Sequence, residues 1–368
     1  MPLYIGLMSG TSMDGIDAAL VEFAPGSDIP RVLGTHSRQW PDELVIHLHA
    51  LCAPQPNELV HMGQMDQAVA HEFALAVQEL LQQQHLPATA ITAIGSHGQT
   101  IRHHPEFGFT LQIGNGARMA VQTGIDVICD FRMKDVALGG QGAPLVPAFH
   151  QAVFGSPDAC RMILNIGGIS NVSALPGDPA QVFGFDTGPG NTLLDQWYRR
   201  HQPGNFDMNG RWAAEGHVHA GLLDALLAHP YFALPYPKST GRETFTMTWL
   251  DQILGQLPAI ANPADVQRTL LEFTALTIGS ALRPLAQNAT LYVCGGGAHN
   301  PLLLGRLTAL FPDWYVTTTA ELNMDPDWVE AIAFAWLAHC FCERRAGNLP
   351  AVTGASKPAV LGAYYPAH

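Results

Sequence analysis

Leu3-Tyr4-Ile5-Gly6-Leu7-Met8-Ser9-Gly10-Thr11-Ser12-Met13-Asp14-Gly15-Ile16-Asp17-Ala18-Ala19-Leu20-Val21 is the stretch that decides the fold. Leu3 to Leu7 is short and apolar, which suits a buried strand. Asp14-Gly15 signals a tight hairpin, because both turn residues take positive φ at small cost. Ile16 to Val21 then reads as the returning strand. Between the strands lies Ser9-Gly10-Thr11-Ser12, small and hydroxyl-rich. Such a turn lets backbone N–H groups converge on an anion. A strand–turn–strand of this kind differs from a P-loop or a dinucleotide turn, both of which feed a helix. Taken alone, the segment suits an ordinary hairpin with a polar tip equally well.

The pattern recurs. Arg161 to Ile166 reads as a strand, Gly167-Gly168-Ile169-Ser170-Asn171 as a small-residue turn, and Val172 to Ala174 as its return. A third strand, Leu291 to Cys294, ends in Gly295-Gly296-Gly297. Glycine at a strand end lets backbone approach a ligand, since no Cβ intervenes. Three such corners are better explained by one shared polyphosphate ligand than by three unrelated turns.

A chain of 368 residues suggests two domains. The Gly/Pro-rich loop Leu138 to Pro147 marks the boundary, giving domains 1–145 and 146–368, with the last residues candidates to pack back on the first domain. Helical spacing covers 41–51 and 57–84, a helix begins near Thr192, and Asp325-Pro326-Asp327 reads as the start of a final helix running to about Arg344. Hydrophobic residues make up 47% and charged residues 13%, enough for sizeable cores. A formal net charge of −13 argues against nucleic acid or an anionic membrane as partner. It leaves room for an anionic small molecule met by a few local donors. Six scattered cysteines without a Cys-x-x-Cys pair suit reduced thiols in a cytoplasm. No secretory signal and no membrane-spanning run are expected.

Asp186 is the sharpest catalytic candidate. It is read at a strand end, followed by Thr187-Gly188-Pro189-Gly190, and too far upstream to cap the helix near Thr192. A carboxylate there takes a proton from an attacking water or hydroxyl. Asp14 and Asp17 are placed to hold Mg²⁺ directly or through water, although Asp is also a good turn residue. Arg132 suits a substrate carboxylate bidentately, or an internal pair with Asp130 or Asp135. Glu330 suits substrate hydroxyls, or serves a helix N-terminus by its charge. Gly114-Asn115-Gly116-Ala117-Arg118-Met119 imitates a dinucleotide fingerprint but ends in Met, so it is set aside. Ser9 and Ser96 lack the Gly-x-Ser-x-Gly context of a serine hydrolase.

The opening stretch resembles the signature of the anhydro-N-acetylmuramic acid kinases. So do Gly95-Ser96-His97-Gly98-Gln99-Thr100, Cys129-Asp130-Phe131-Arg132, Gly139 to Pro147, Asn165 to Asn171, Phe185 to Asn191 and Cys294 to Gly297. The resemblance implies an α/β fold of two related actin-like (ribonuclease H-like) domains with a nucleotide cleft between them. It implies an ATP-dependent, Mg²⁺-assisted conversion of 1,6-anhydro-N-acetylmuramic acid and water to N-acetylmuramic acid 6-phosphate, in cytoplasmic recycling of cell-wall peptidoglycan, by a homodimer. By the same resemblance Gly10, Thr11, Ser12, Met13, Asp14, Gly15, Ile16, Asp17, Gly167 and Gly168 bind the phosphates of ATP. Gly295, Gly296 and Gly297 face its adenosine, Asp186 is the base, and Ser96, His97, Arg132 and Glu330 bind the sugar. Arg132 takes the lactyl carboxylate and Glu330 the hydroxyls. The alternatives are a same-fold kinase with another sugar or acid, and a non-catalytic nucleotide switch.

Overall fold

The computed structural model describes every residue except 11, 12, 237, 242, 243 and 259–261. Thr11 and Ser12, expected to contact phosphate, therefore lie outside the described residues. The strands are β1 (Leu3–Met8), β2 (Ile16–Phe23), β3 (Pro30–Arg38), β4 (Ala93–Ser96), β5 (Gln99–His104), β6 (Phe109–Ile113), β7 (Val127–Cys129), β8 (Arg161–Ile166), β9 (Ile169–Leu175), β10 (Phe183–Pro189), β11 (Thr290–Cys294), β12 (Tyr315–Thr318) and β13 (Ala363–Tyr365). The chain divides into two compact units: Met1–Phe154 with Trp328–His368, and Gly155–Asp327.

The sheet of the first unit has the order β13-β7-β4-β1-β2-β3. β2 runs antiparallel to β1, while β4 runs parallel to it. Side chains alternate across a strand, and β1 uses both faces. Ile5 and Leu7 join a core with Leu20 of β2 and with Val69, Phe73, Val77 and Leu80 of the helix Glu58–Gln83. Burying each such side chain stabilises the fold by about 1.5–3 kcal/mol. The opposite face carries Tyr4 and Gly6. Gly6 sits beside Gly95 of β4, and on this face the helix Val329–Cys342 lies directly on the sheet. A Cβ at Gly6 would stand 1.8 Å from the Ala331 carbonyl oxygen, and one at Gly95 2.1 Å from that of Phe334. The two glycines thus form a groove for helix backbone, and the helix answers with Ala331, Ala335 and Ala338. His339 completes this face, its ring stacked on Phe23 at 4.5 Å. The helix Val146–Phe154 also belongs to this unit, with Phe149 packed 5.9 Å from Trp336.

The second unit has a five-stranded sheet in the order β10-β9-β8-β11-β12. β9 is antiparallel to β8, β10 to β9, and β11 and β12 run parallel to β8. Met162, Leu164 and Ile166 pack with Leu291, Val293 and residues such as Leu270 and Phe273 of the helix Pro263–Leu282. Omitting β13, both sheets read third, second, first, fourth, fifth, with the second strand antiparallel to the first.

Local structure departs from the sequence reading in three places. The first hairpin does not turn on Asp14-Gly15: the positive φ (52°) belongs to Met13, whose N–H bonds to the Gly10 carbonyl at 3.0 Å. Asp325-Pro326-Asp327 does not start the last helix, which begins at Val329. Instead Asp325 Oδ1 accepts from the Asp327 N–H at 3.0 Å, and the Pro326 carbonyl accepts from the Gly295 N–H at 2.9 Å. Asp186 lies inside β10 rather than at its end, at a register shift between Asp186 and Gly188.

Candidate active site

In the second unit two glycine corners adjoin where the parallel strands β8 and β11 end. Gly295 takes a φ of +75°, and a Cβ there would stand 2.3 Å from Asn165 Oδ1. A Cβ on Gly297 would strike Ile166 Cγ2 at 2.4 Å. Packing therefore demands these two glycines. Gly167, Gly168 and Gly296 differ: added Cβ atoms would find no neighbour nearer than 3.6, 3.9 and 3.7 Å, and none of the three has positive φ. The fold itself does not ask for glycine there; an anion bound by backbone N–H groups would. The turn is held by the start of the following helix, Thr192–His201. The Gly167 carbonyl accepts from the Asn191 N–H at 2.8 Å, and the Gly168 carbonyl from Gly190 and Thr192 at 2.9 and 3.1 Å.

Asp186 faces Asn171 across the β9–β10 ladder, three residues along β9 from Gly168. Its Oδ2 accepts from the Thr240 N–H at 2.9 Å, and its own N–H donates to the Lys238 carbonyl at 3.0 Å. Burial pushes its carboxyl up to about 6, against the lowering effect of the Thr240 amide. A carboxylate of that strength is ionised at neutral pH yet basic enough to take a proton.

The first unit has a corner of its own. Ser9 is buried and accepts from Trp40 Nε1 at 3.1 Å, while the Gly10 carbonyl accepts from Gln99 Nε2 at 3.4 Å. Met13 and Ile16 are buried, Asp14 is exposed, and Gly15 lies against Arg38, where a Cβ would be 3.3 Å from the carbonyl oxygen. Asp17 is half-buried, paired with Met8 on one side and Ser37 on the other. Beyond this corner stands His97, whose N–H donates to the Leu7 carbonyl at 3.0 Å and whose ring lies beside the Ser9 backbone. Arg132 donates to His97 Nε2 from Nε (3.2 Å) and Nη2 (2.9 Å), and from Nη1 to the Gly142 carbonyl (2.8 Å). A guanidinium has no acceptor, so Nε2 must carry the lone pair. Burial and the Arg132 charge agree with that, holding the imidazole neutral with its pKa down to about 3. Burial lowers Arg132 to about 10, against the raising effect of Glu330 and Asp135. Of the two partners considered for Arg132, Asp130 is not among these groups and Asp135 acts at a distance. Its carboxylate is spent on Asn348, Thr353 and the Gly142 N–H. The Ser96 hydroxyl accepts from the Gly98 N–H at 3.3 Å and is fully buried, closing the turn that presents His97.

His97, Arg132 and Glu330 thus share one neighbourhood of the first unit, and Gly167, Gly168, Gly295–Gly297 and Asp186 one neighbourhood of the second. The imitation fingerprint at Gly114–Met119 is accounted for by Asp66, whose carboxylate takes the Gly114 N–H at 2.8 Å and the Asn115 amide at 3.0 Å. The segment Lys238-Ser239-Thr240, which grips Asp186, went unread. It carries no periodicity, and its partners lie some fifty residues upstream.

Two mixed α/β sheets of one strand order, each presenting a polar or glycine-rich turn after its first strand, define the actin-like fold of the sugar kinases. The family model described as Anhydro-N-acetylmuramic acid kinase matches residues 2–367. The chain is 53% identical to the anhydro-N-acetylmuramic acid kinase of Shewanella pealeana over 99% of its length and 98% of the relative's. The same figures hold for that of Shewanella oneidensis. Among solved structures it is similar to the activator of 2-hydroxyisocaproyl-CoA dehydratase from Clostridium difficile with bound ADPNP, at 11% identity and a TM-score of 0.45 over 91% of this chain and 94% of that one. The chain belongs to the anhydro-N-acetylmuramic acid kinase family.

Proposed function

We propose that the protein opens the anhydro bridge of 1,6-anhydro-N-acetylmuramic acid with water and phosphorylates O6 with ATP, releasing ADP and N-acetylmuramic acid 6-phosphate. Asp186 carries this reading: a carboxyl raised to about 6, paired with Asn171, which lies three residues from the glycine corner at Gly168. Asp186 takes a proton from water as the water oxygen bonds to the anomeric carbon. The bond from that carbon to the bridging oxygen breaks on the opposite face, as in inverting glycoside hydrolysis. The freed O6 bonds to the γ-phosphorus, and the bond to the β-phosphate oxygen breaks. Phosphoryl transfer asks the protein mainly to position groups and neutralise charge, which suits Gly167, Gly168 and the turn from Gly10 to Asp17. Gly295–Gly297 face the adenosine.

Arg132, fixed by His97 and Gly142, takes the lactyl carboxylate with its remaining N–H groups, Glu330 takes sugar hydroxyls, and Ser96 holds the turn that brings His97 to them. Among the described residues no group of three or more His, Cys, Asp or Glu side chains could hold a metal ion alone. Mg²⁺ comes with the phosphates of ATP, and Asp14 or Asp17 holds it directly or through water. A place in the cytoplasm fits the free cysteines and a homodimer fits the family; among the described residues no helix is long and apolar enough to cross a membrane. Incubation of the protein with the anhydro sugar, ATP and ¹⁸O-water tests the reaction. Label at the anomeric oxygen and none in the phosphate ester is expected. Absence of sugar phosphate, or label in the ester, overturns it.

A further inference from the structure

Asp186 is clasped by a loop outside the glycine corners. The Lys238 carbonyl takes its N–H at 3.0 Å, the Thr240 N–H reaches Oδ2 at 2.9 Å, and the Tyr231 hydroxyl donates to its carbonyl at 2.6 Å. The Lys238 ammonium turns elsewhere, to the Tyr231 and Phe232 carbonyls at 3.2 and 3.4 Å. Among the described residues the Tyr231 phenol and the Lys238 ammonium are the titratable groups of the residues that meet Asp186 at this end of β10. β9 opposite it holds no charged residue, and the helix Pro263–Leu282 meets this end of β10 through Thr274 and Thr277. Its Glu272 is engaged by Arg306. One atom of the clasp is left over: the hydroxyl oxygen of Thr240 is buried and has no hydrogen-bond partner. A buried hydroxyl in native protein is rarely left so, and a partner that arrives with the substrates removes the deficit.

We propose that Thr240 positions the attacking water. Its amide pins Oδ2 of Asp186, which leaves Oδ1 to receive the water's proton, and its hydroxyl takes the water's second hydrogen bond. The hydroxyl neither gains nor loses a proton over the step; the proton passes from water to Asp186. This inference rests on Asp186 being the base.

Thr240→Val keeps shape and amide and removes the hydroxyl. Thr240→Ser keeps both polar groups, and Thr240→Pro removes the amide donor. In the full chain with the anhydro sugar and ATP, Thr240→Val is expected to lower kcat about tenfold with the KM for ATP unchanged, and Thr240→Ser to restore most of it. Thr240→Pro is expected to move the acidic limb of kcat/KM upward, because an N–H donor favours the ionised carboxylate. Wild-type kcat in Thr240→Val, or equal impairment of the Val and Ser variants, overturns the role of the hydroxyl. An unmoved limb in a folded Thr240→Pro overturns the role of the amide; if that variant melts early, the Val and Ser pair decides. Asp186→Asn assayed alongside separates the levels. If it keeps turnover, the base itself is misassigned; if it is inactive while Thr240→Val is normal, only the present inference fails.

Discussion

The first unit spends residues 9–15 between its first two strands, whereas the second spends only Gly167 and Gly168. The long turn is tied down by side chains, Ser9 to Trp40 and Gln99 to the Gly10 carbonyl. The short one is tied down mainly by backbone, through the N–H groups of Gly190, Asn191 and Thr192. The charges divide in the same way. The first unit holds a permanent cation, Arg132, braced by an imidazole kept neutral. The second holds an acid, Asp186, poised to change its charge near pH 6. One sheet topology, used twice, therefore yields one unit suited to fixing a ligand's orientation and one suited to moving a proton.

The sharpest way to break that division is Asp186→Asn. Turnover is expected to fall roughly 10²–10⁴-fold while ATP still binds, read by sugar phosphorylation and ATP titration. Near-normal turnover would return Asp186 to a structural role. Arg132→Met comes next. It strips donors from His97 and the Gly142 carbonyl, so the KM for the sugar should rise about 100-fold, with kcat less affected and the melting temperature lowered. A variant that loses kcat alone would place Arg132 in the reactive half.

Glycine offers a paired test. Gly6→Ala forces a methyl into helix backbone and should cost about 1–3 kcal/mol of stability. Gly168→Ala, with its nearest neighbour 3.9 Å away, should leave stability within about 0.5 kcal/mol yet raise the KM for ATP severalfold. Chemical unfolding and ATP kinetics read the pair, and a swap of the two outcomes would dissolve the distinction between packing and ligand glycines.

The smallest effect lies in pH. The base must be ionised, so kcat/KM should lose about tenfold per pH unit below about 6 and level off above it. The stability contribution of the same carboxyl runs the other way. Its pKa in the fold lies above the ordinary 3.8, so the folded state binds the proton more tightly. That contribution is complete below pH 3.8 and is lost as pH rises through 6. A flat activity profile from pH 5 to 7 would remove Asp186 from the rate equation.

Both sheets were legible because β1, β2, β8 and β9 are short apolar runs broken by small residues, and that signal is local. Asp186 was legible as an acid just ahead of a glycine-rich run, though its place inside β10 at a register shift was not. The start of the last helix was misread because Asp325-Pro326-Asp327 imitates a cap while serving as a turn that Gly295 holds in place. The Thr240 clasp and the Asp135 network, which joins Asn348 and Thr353 to Gly142, rest on contacts between residues tens to hundreds of positions apart. No periodicity records such contacts.

The groove over Gly6 and Gly95 sets an order of events during synthesis. The backbone that fills it, Val329–Cys342, leaves the ribosome only after all of Gly155–Asp327 has been made. Until then the nascent first sheet exposes one bare face, two glycines wide. The whole intervening unit is already in the chain by then, so the sheet translated first is the last to have all its packing partners.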